Sequence, residues 1–125
     1  MMDRILLHAY QKAAAGAAHV AHLCPPDASA VWKVKKVGFI PNAATASDAT
    51  DYVTLTPKTG ATALATGRAT SSTGLTAATP VNFTLTATGS TLEVTQASPL
   101  KLDLAQAGSG KAVEVVWFAE FEVLR

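Results

Sequence analysis

The sequence predicts an all-β sandwich. From residue 18 onward, apolar and polar side chains alternate with a period of two over short segments. Clusters of Pro, Gly, Asn, Asp and Ser separate these segments at intervals of about ten residues, which is typical of antiparallel β-proteins. No segment between the strands is long and periodic enough for a crossover helix, so parallel α/β folds are excluded. A length of 125 residues fits one domain.

Eight segments carry the strand pattern. They are residues 18–24, 31–40, 51–57, 61–67, 81–86, 91–96, 99–105 and 112–124. The alternation is sharpest at 99–105, where Leu100, Leu102 and Leu104 alternate with polar side chains. The segment at 61–67 is the weakest, because Ala has a poor strand propensity and Gly67 interrupts it. Eight antiparallel strands in two sheets predict a jelly-roll sandwich over residues 18–125.

The last predicted strand separates its side chains into two unlike faces. One face carries Val113, Val115, Trp117, Ala119, Phe121 and Val123, and the other carries Glu114, Val116, Phe118, Glu120 and Glu122. The first face is expected to point into the core, with Trp32 and Phe39 of the 31–40 strand as further core anchors. Two apolar residues on the acidic face indicate that the middle of this strand is covered on both sides.

The first 17 residues are predicted to form a short N-terminal arm. They are rich in Ala, and their apolar residues recur at helical spacings, which favours a helix of about ten residues within residues 1–18. An isolated helix of that length is only marginally stable in water. We therefore expect the arm to lie against another surface.

Composition excludes several classes of protein. The net charge is +1 and charged residues make up 15% of the chain, which argues against a nucleic-acid partner and against intrinsic disorder. The one cysteine, Cys24, excludes an internal disulfide framework. No apolar run approaches the roughly 18 residues that span a bilayer, and residues 5–7 form too short a run for a secretion signal, so we expect no membrane partner.

Three potential metal ligands occur in the order His19, His22 and Cys24. Each is a competent zinc ligand, but on a strand His22 and Cys24 share a face while His19 points the other way. The spacing therefore favours ordinary strand residues, and we predict no metal site and no cofactor within the chain. Metal binding between symmetry-related chains stays open.

The candidate catalytic patterns are weak. Glu114, Glu120 and Glu122 share one strand face, and carboxylates two residues apart lie about 7 Å from each other, a spacing that an inverting glycosidase tolerates. The chain has only two Trp and two Tyr to hold a sugar, which favours a solvated or intersubunit charged face. The GSGK segment at 108–111 lacks the remaining positions of a phosphate-binding loop and is expected to form a hairpin turn. We predict no catalytic residues and no enzymatic activity.

Small residues dominate the middle of the chain. Ala, Thr, Gly and Ser fill most of residues 43–91, which contain only four charged residues: Asp48, Asp51, Lys58 and Arg68. Such side chains have little conformational entropy to lose, so they form good packing surfaces and poor enzyme pockets. This composition favours an assembly function.

The order of three segments carries a resemblance to a known family. "WKVKKVGFIPNAA", "DYVTLTPKTGATALATGRATSSTGLTAATPVNFTLT" and the closing "VEVVWFAEFEVLR" resemble the jelly-roll decoration, or cement, proteins of tailed bacteriophage capsids over residues 18–125. The resemblance implies a homotrimer that binds the major capsid protein on the outside of the virion and bridges capsomers. Such a protein would be made in the host cytoplasm. The turn at Gly89 and Ser90 departs from the Gly-Asp turn common in that family.

The resemblance also suggests which residues make contacts. For the trimer interface we expect Trp117, Phe118 and Phe121, and for the capsid-contacting arm we expect Arg4, Ile5, Leu6 and Tyr10. The alternative function is a carbohydrate- or receptor-binding jelly-roll module of a virion or cell surface. That function requires exposed aromatic side chains, whereas both Trp residues and Tyr52 are predicted within strands.

Overall fold

A computed structural model describes residues 3–125 as a β-protein with about half of its residues in strands and almost no helix. The described residues form ten strands: β1 (Arg4–Ala13), β2 (His19–Leu23), β3 (Trp32–Pro41), β4 (Tyr52–Thr59), β5 (Thr62–Ala63), β6 (Arg68–Ala69), β7 (Val81–Asn82), β8 (Glu93–Val94), β9 (Leu100–Ala107) and β10 (Val113–Val123). A single 3-10 turn, Gly89–Leu92, precedes β8 in this part of the chain.

The strands form two antiparallel sheets in a sandwich-like arrangement, as the sequence predicts. The first sheet has the order β1-β10-β3-β7, and β8 also pairs with β3. The second sheet has the order β2-β9-β4-β5, and β6 also pairs with β4. The turn at 108–111 joins β9 to β10 and therefore crosses from one sheet to the other, so the expected hairpin is wrong.

The core lies between the two sheets. The predicted inward face of β10 is confirmed, since Val113, Val115, Trp117, Ala119 and Phe121 are all buried. Leu100, Leu102 and Leu104 of β9 are fully buried opposite them. Trp32 and Phe39 are also buried, as expected of core anchors. The rings of Phe39 and Trp117 pack with centroids 5.3 Å apart, and Phe83 stacks on Trp117 at 5.7 Å.

The N-terminal segment is a strand, and the predicted helix is wrong. β1 pairs with β10 residue by residue, from Arg4 opposite Glu122 to Ala13 opposite Val113. This ladder supplies ten residues with partners and outweighs the weak helix preference of Ala, because tertiary packing overrides local propensity. Residues 4–13 are therefore an edge strand of the sandwich, while the first two residues of the predicted arm lie outside the described residues.

The accessible surface of 6301 Å² matches the roughly 6300 Å² expected for a compact chain of this mass.

Pro57 explains why the outer strand of the second sheet is interrupted. The Pro57 carbonyl accepts a hydrogen bond from the Leu64 amide at 2.8 Å, but a proline has no N–H to return to Leu64. The Leu64 carbonyl instead accepts the amide of Thr86 at 2.9 Å, which holds residues 81–87 against the sandwich. The predicted strand 61–67 is consequently reduced to β5, and β6 follows just beyond it. The predicted strands 81–86 and 91–96 retain only β7 and β8.

One end of the sandwich is fastened by the Gln106 side chain. Its amide nitrogen donates to the carbonyls of Ala17 at 3.1 Å and Lys111 at 3.0 Å, and its oxygen accepts the Lys111 amide at 2.9 Å. The Asp51 carboxylate accepts the Ser109 amide at 2.7 Å. These bonds join three loops, at residues 14–18, 42–51 and 108–112, into one rigid end.

Candidate interaction face

Two of the three predicted trimer-interface residues lie inside the single chain. Trp117 and Phe121 are completely buried between the sheets, so neither offers surface to another subunit, and their assignment to an interface is wrong. The reason is their position on the inward face of β10, whose neighbours on both sides belong to the same chain. Phe118, the third, points away from the core and is half-buried.

Phe118 lies at the centre of what we call the outer face: Gly38, Ile40, Val116 and Phe118 on the solvent side of the first sheet. Val116 is opposite Ile40 across β10 and β3, and Phe118 is opposite Gly38. A Cβ atom on Gly38 would overlap the ring of Phe118 and the carbonyl oxygen of Val81. Glycine at this position therefore lets the aromatic ring lie flat against the sheet. Val116 and Phe118 are the two apolar residues from which we expected the middle of the last strand to be covered on both sides. In the structure they belong to a shallow apolar surface.

Charged side chains lie at both ends of the outer face. As the alternation predicts, Glu114, Glu120 and Glu122 share this side of β10, and each has a partner within the chain. Arg4 contacts Glu120 at 2.6 Å, Lys35 lies 3.9 Å from Glu122, and the Tyr10 hydroxyl donates to Glu114. The partnered carboxylates act as a charged border to the apolar centre.

The Tyr10 hydroxyl is perturbed by this border. Its hydrogen bond to the Glu114 carboxylate raises the pKa of Tyr10, and partial desolvation and the nearby negative charge raise it further. Tyr10 is therefore held as a neutral hydrogen-bond donor. The Glu114 carboxylate is the acceptor of this hydrogen bond.

The four residues predicted for a capsid-contacting arm divide between the two sides of β1. Leu6 and Tyr10 are among the most exposed apolar side chains of the described residues, at 58% and 55%, and Arg4 is exposed beside them. Ile5 points to the opposite side, where it is half-buried against the core. Since β1 is held along its whole length by β10, these residues are fixed on the sandwich and do not reach out from it.

Sequence reasoning missed a buried polar bridge at the same edge. Gln11 is 1% exposed and joins the two sheets: its oxygen accepts the Trp117 indole N–H at 2.8 Å, and its nitrogen donates to the Leu102 carbonyl at 3.0 Å. The same nitrogen lies 3.0 Å from His19 Nδ1, on β2. Gln11 could be recognised as inward-facing only if residues 4–13 were known to be a strand.

The candidate metal ligands are separated in space. His19 faces the Gln11 bridge, whereas His22 and Cys24 are exposed on the other side of that segment. Within residues 3–125, no three His, Cys, Asp or Glu side chains are grouped closely enough to hold a metal ion. The Gln11 contact gives His19 a structural role.

Two clefts flank residues 81–87. One has a volume of about 250 Å³ and is lined by Arg68 and Phe83 among small Thr residues, and the other has about 360 Å³ beside Lys35, Lys36 and Phe83. The Arg68 guanidinium is occupied by the carbonyl oxygens of Ala69, Thr73 and Gly74 at 2.6 to 2.8 Å. Arg68 therefore fastens its own loop and is not free to bind a ligand.

The described part of the chain contains no helix that is long and apolar enough to cross a membrane. Comparison with protein-family models and with curated proteins gave no match in either case.

Proposed function

We propose that this protein is a virion structural protein that decorates and stabilises the outside of a tailed-phage capsid as a homotrimer bridging capsomers. Its partner is the major capsid protein, and it is made in the host cytoplasm. The action is adhesive and involves no bond chemistry. The observation that carries the proposal is the outer face, where half-buried apolar side chains with a charged border lie on the solvent side of the first sheet.

The proposal includes a jelly-roll topology. Its support is the strand order: β10 lies between β1 and β3, and β9 lies between β2 and β4, an arrangement that two nested Greek keys produce. Successive strands lie in opposite sheets from β1 to β4 and again from β8 through β9 to β10, whereas β5 and β6 stay in the sheet of β4, which is the connectivity of a jelly roll. If β5 with β6 and β7 with β8 are each counted as one interrupted strand, the number of strands is eight.

The character of the outer face favours a different protein as its partner. A contact with a second protein can place acidic groups against Lys33 and Lys36, while Phe118 fills an apolar depression. Interfaces typically combine such an apolar centre with a polar rim. We therefore assign the outer face to the capsid shell.

A trimer multiplies a weak contact of this kind. Once one subunit is bound, the other two meet their sites at a high effective concentration, so overall attachment is much stronger than each contact alone. A rigid three-legged bridge between capsomers would resist their separation. Stabilisation of the shell follows from this geometry.

The alternative, a carbohydrate- or receptor-binding module, has less support. Trp32 and Trp117 are buried and Tyr52 is half-buried, so of the Trp and Tyr side chains only Tyr10 is exposed. Sugar-binding faces use exposed aromatic rings as platforms. A single ring engaged with Glu114 is a poor platform.

The test is to add purified protein to capsids that lack a decoration protein. We expect saturable binding and a higher temperature of capsid disassembly. Val116→Lys should weaken binding about tenfold or more, equivalent to about 1.4 kcal/mol, because it places a charge in the apolar centre. Thr62→Lys, on exposed β5 of the other sheet, is the matched control. Absence of wild-type binding, or equal binding by Val116→Lys, would overturn the proposal.

A further inference from the structure

The larger of the two clefts lies at the edge of β3, where the first sheet is incomplete. β7 pairs with β3 at residues 38–39 and β8 pairs with it at residues 32–33, so no strand within residues 3–125 pairs with residues 34–36 on this edge. Beyond residue 83 the chain leaves β3 and crosses to the second sheet, which opens the cleft. We call it the lysine cleft, and its lining is Lys35, Lys36, Val37, Asn82, Phe83 and Leu85.

A β-bulge in β3 brings both lysines to the cleft. Val34 and Val37 are each 1% exposed although they are three residues apart, a spacing that places side chains on opposite faces of a regular strand. Lys36 lies opposite Glu120, and Val34 lies opposite the residue that follows Glu120. Lys35 is therefore an extra residue, and a bulge of this kind re-aims the side chains beside it. Both lysines thus stay out of the core and line the cleft.

The two lysines are free to bind an anion. Arg4 holds the Glu120 carboxylate at 2.6 Å, and Lys36 takes part in no ion pair within residues 3–125. The Lys35 ammonium lies 3.9 Å from Glu122, which is beyond hydrogen-bond distance, so its N–H groups stay available. The cleft differs in this respect from its neighbour, where the guanidinium is occupied by backbone carbonyls.

Neutral side chains complete the lysine cleft. Asn82 is exposed, and its amide N–H can donate to an anion there. Phe83 and Leu85 are half-buried and supply apolar contacts. The Phe83 ring stacks on Trp117 with centroids 5.7 Å apart, so the apolar wall is held in place. The cleft therefore suits a carboxylate with an apolar group beside it.

The position of the cleft favours a protein as the source of these groups. Gly38 lies opposite Asn82 on one side and opposite Phe118 on the other. Neighbouring strands are about 4.8 Å apart, so a partner that covers Phe118 comes within about 10 Å of Asn82. The volume of about 360 Å³ is near the lower end of the about 300–1,000 Å³ typical of ligand sites. The cleft therefore admits one or two side chains of such a partner.

We propose that the lysine cleft receives a short acidic segment of the partner protein. One carboxylate lies among the two lysines and the Asn82 amide, and an adjacent apolar side chain packs against Phe83 and Leu85. That this partner belongs to the capsid shell rests on the proposed function, whereas the chemistry of the segment follows from the cleft. The paired charges supply a specificity that the apolar centre of the outer face lacks.

The first test is an NMR titration of the full chain with the peptide acetyl-Leu-Glu-Leu-amide. We expect the amide signals of residues 35–37 and 82–85 to shift, and the neutral peptide acetyl-Leu-Gln-Leu-amide to bind at least about tenfold more weakly. Sodium octanoate should also bind more weakly, because its charge lies in line with its apolar chain and not beside it. Equal binding of the neutral peptide, shifts only outside the cleft, or tighter binding of octanoate would overturn the inference.

Variants of one lysine locate the charge. Lys36→Glu should weaken peptide binding at least about tenfold, and Lys36→Met, which places no second acid opposite Glu120, about threefold. Lys12→Glu is the matched control, since Lys12 is an exposed lysine on the same side of the first sheet that forms no ion pair within the described chain. It should bind the peptide like the wild type. Far-UV circular dichroism checks that each variant is folded, and equal affinities of all folded variants would contradict the site.

Capsid binding separates this inference from the proposed function. We expect Lys36→Glu to bind capsids that lack a decoration protein at least about fivefold more weakly than Lys12→Glu. Equal capsid binding by the two variants would show that the cleft assignment is wrong while the proposed function stands. A wild type that binds the peptide in the cleft but binds no capsid would refute only the proposed function.

Discussion

Gln11 joins the two sheets through groups that have no access to water, so its replacement should be costly. The change to test is Gln11→Leu, which keeps a similar volume and removes both polar atoms. Its oxygen accepts the Trp117 indole N–H, and its nitrogen donates to the Leu102 carbonyl. After the change, the indole N–H is left buried without an acceptor, and the carbonyl loses a donor.

The size of the effect follows from these two groups. A buried polar group that loses its partner costs about 1–3 kcal/mol, and the added apolar surface of Leu returns part of that. We expect a net loss of about 2–4 kcal/mol in the free energy of unfolding, a large share of the 5–15 kcal/mol typical of whole proteins. For a chain of this length, about 4 °C per kcal/mol converts this to a fall in Tm of roughly 8–16 °C.

The assay is urea and thermal unfolding at one fixed protein concentration. Gln96→Leu, at an exposed position, is the matched control and should change stability by less than about 0.5 kcal/mol. In a double-mutant cycle, Trp117→Phe removes the donor, so the two changes together should cost at least about 1 kcal/mol less than their sum. A Gln11→Leu protein as stable as the Gln96→Leu protein would refute the bridging role.

Two further predictions concern the outer face and the fastened end. Gly38→Ala should lose about 1–3 kcal/mol of stability in urea unfolding, because its Cβ overlaps the Phe118 ring and the Val81 carbonyl; wild-type stability would contradict the close packing. The backbone amides of Asp51 and Thr50, and then the Lys111 side chain, lower the pKa of Asp48 below its ordinary 3.8. The ionised Asp48 therefore stabilises the fold at pH values above 3.8. This stabilisation is lost as the pH falls through the lowered pKa. The stability difference between wild type and Asp48→Asn should therefore shrink below about pH 4, and a difference that is constant from pH 2 to 6 would exclude this role.

The long strands could be predicted from the sequence because each carries its own evidence. The Leu residues of β9 alternate with polar residues regardless of what lies beside them, and so do the two faces of β10. Residues 4–13 were harder to interpret. Their partner, β10, is at the far end of the sequence, and Ala at positions 9 and 13 is compatible with either a helix or a thin strand.

The errors at the candidate sites have a common cause. Strand periodicity correctly placed Trp117 and Phe121 on one face, but it could not show that the second sheet of the same chain already covers that face. The inward position of Gln11 could not be predicted, because it depends on a strand over residues 4–13 that the composition concealed. The missing N–H of Pro57 could be read from the sequence, but its effect on residues 61–67 depends on which carbonyl lies opposite.

The position of β10 at the centre of the first sheet has a consequence for folding. Within the first sheet β1 pairs only with β10, whereas β3 also pairs with β7 and β8, so β1 cannot join this sheet until β10 has emerged from the ribosome. During synthesis the chain must keep its earlier strands, including the open edge of β1, from pairing with the wrong partners. We therefore expect slow folding dominated by contacts between distant parts of the chain, with its greatest risk of aggregation just before that strand is complete.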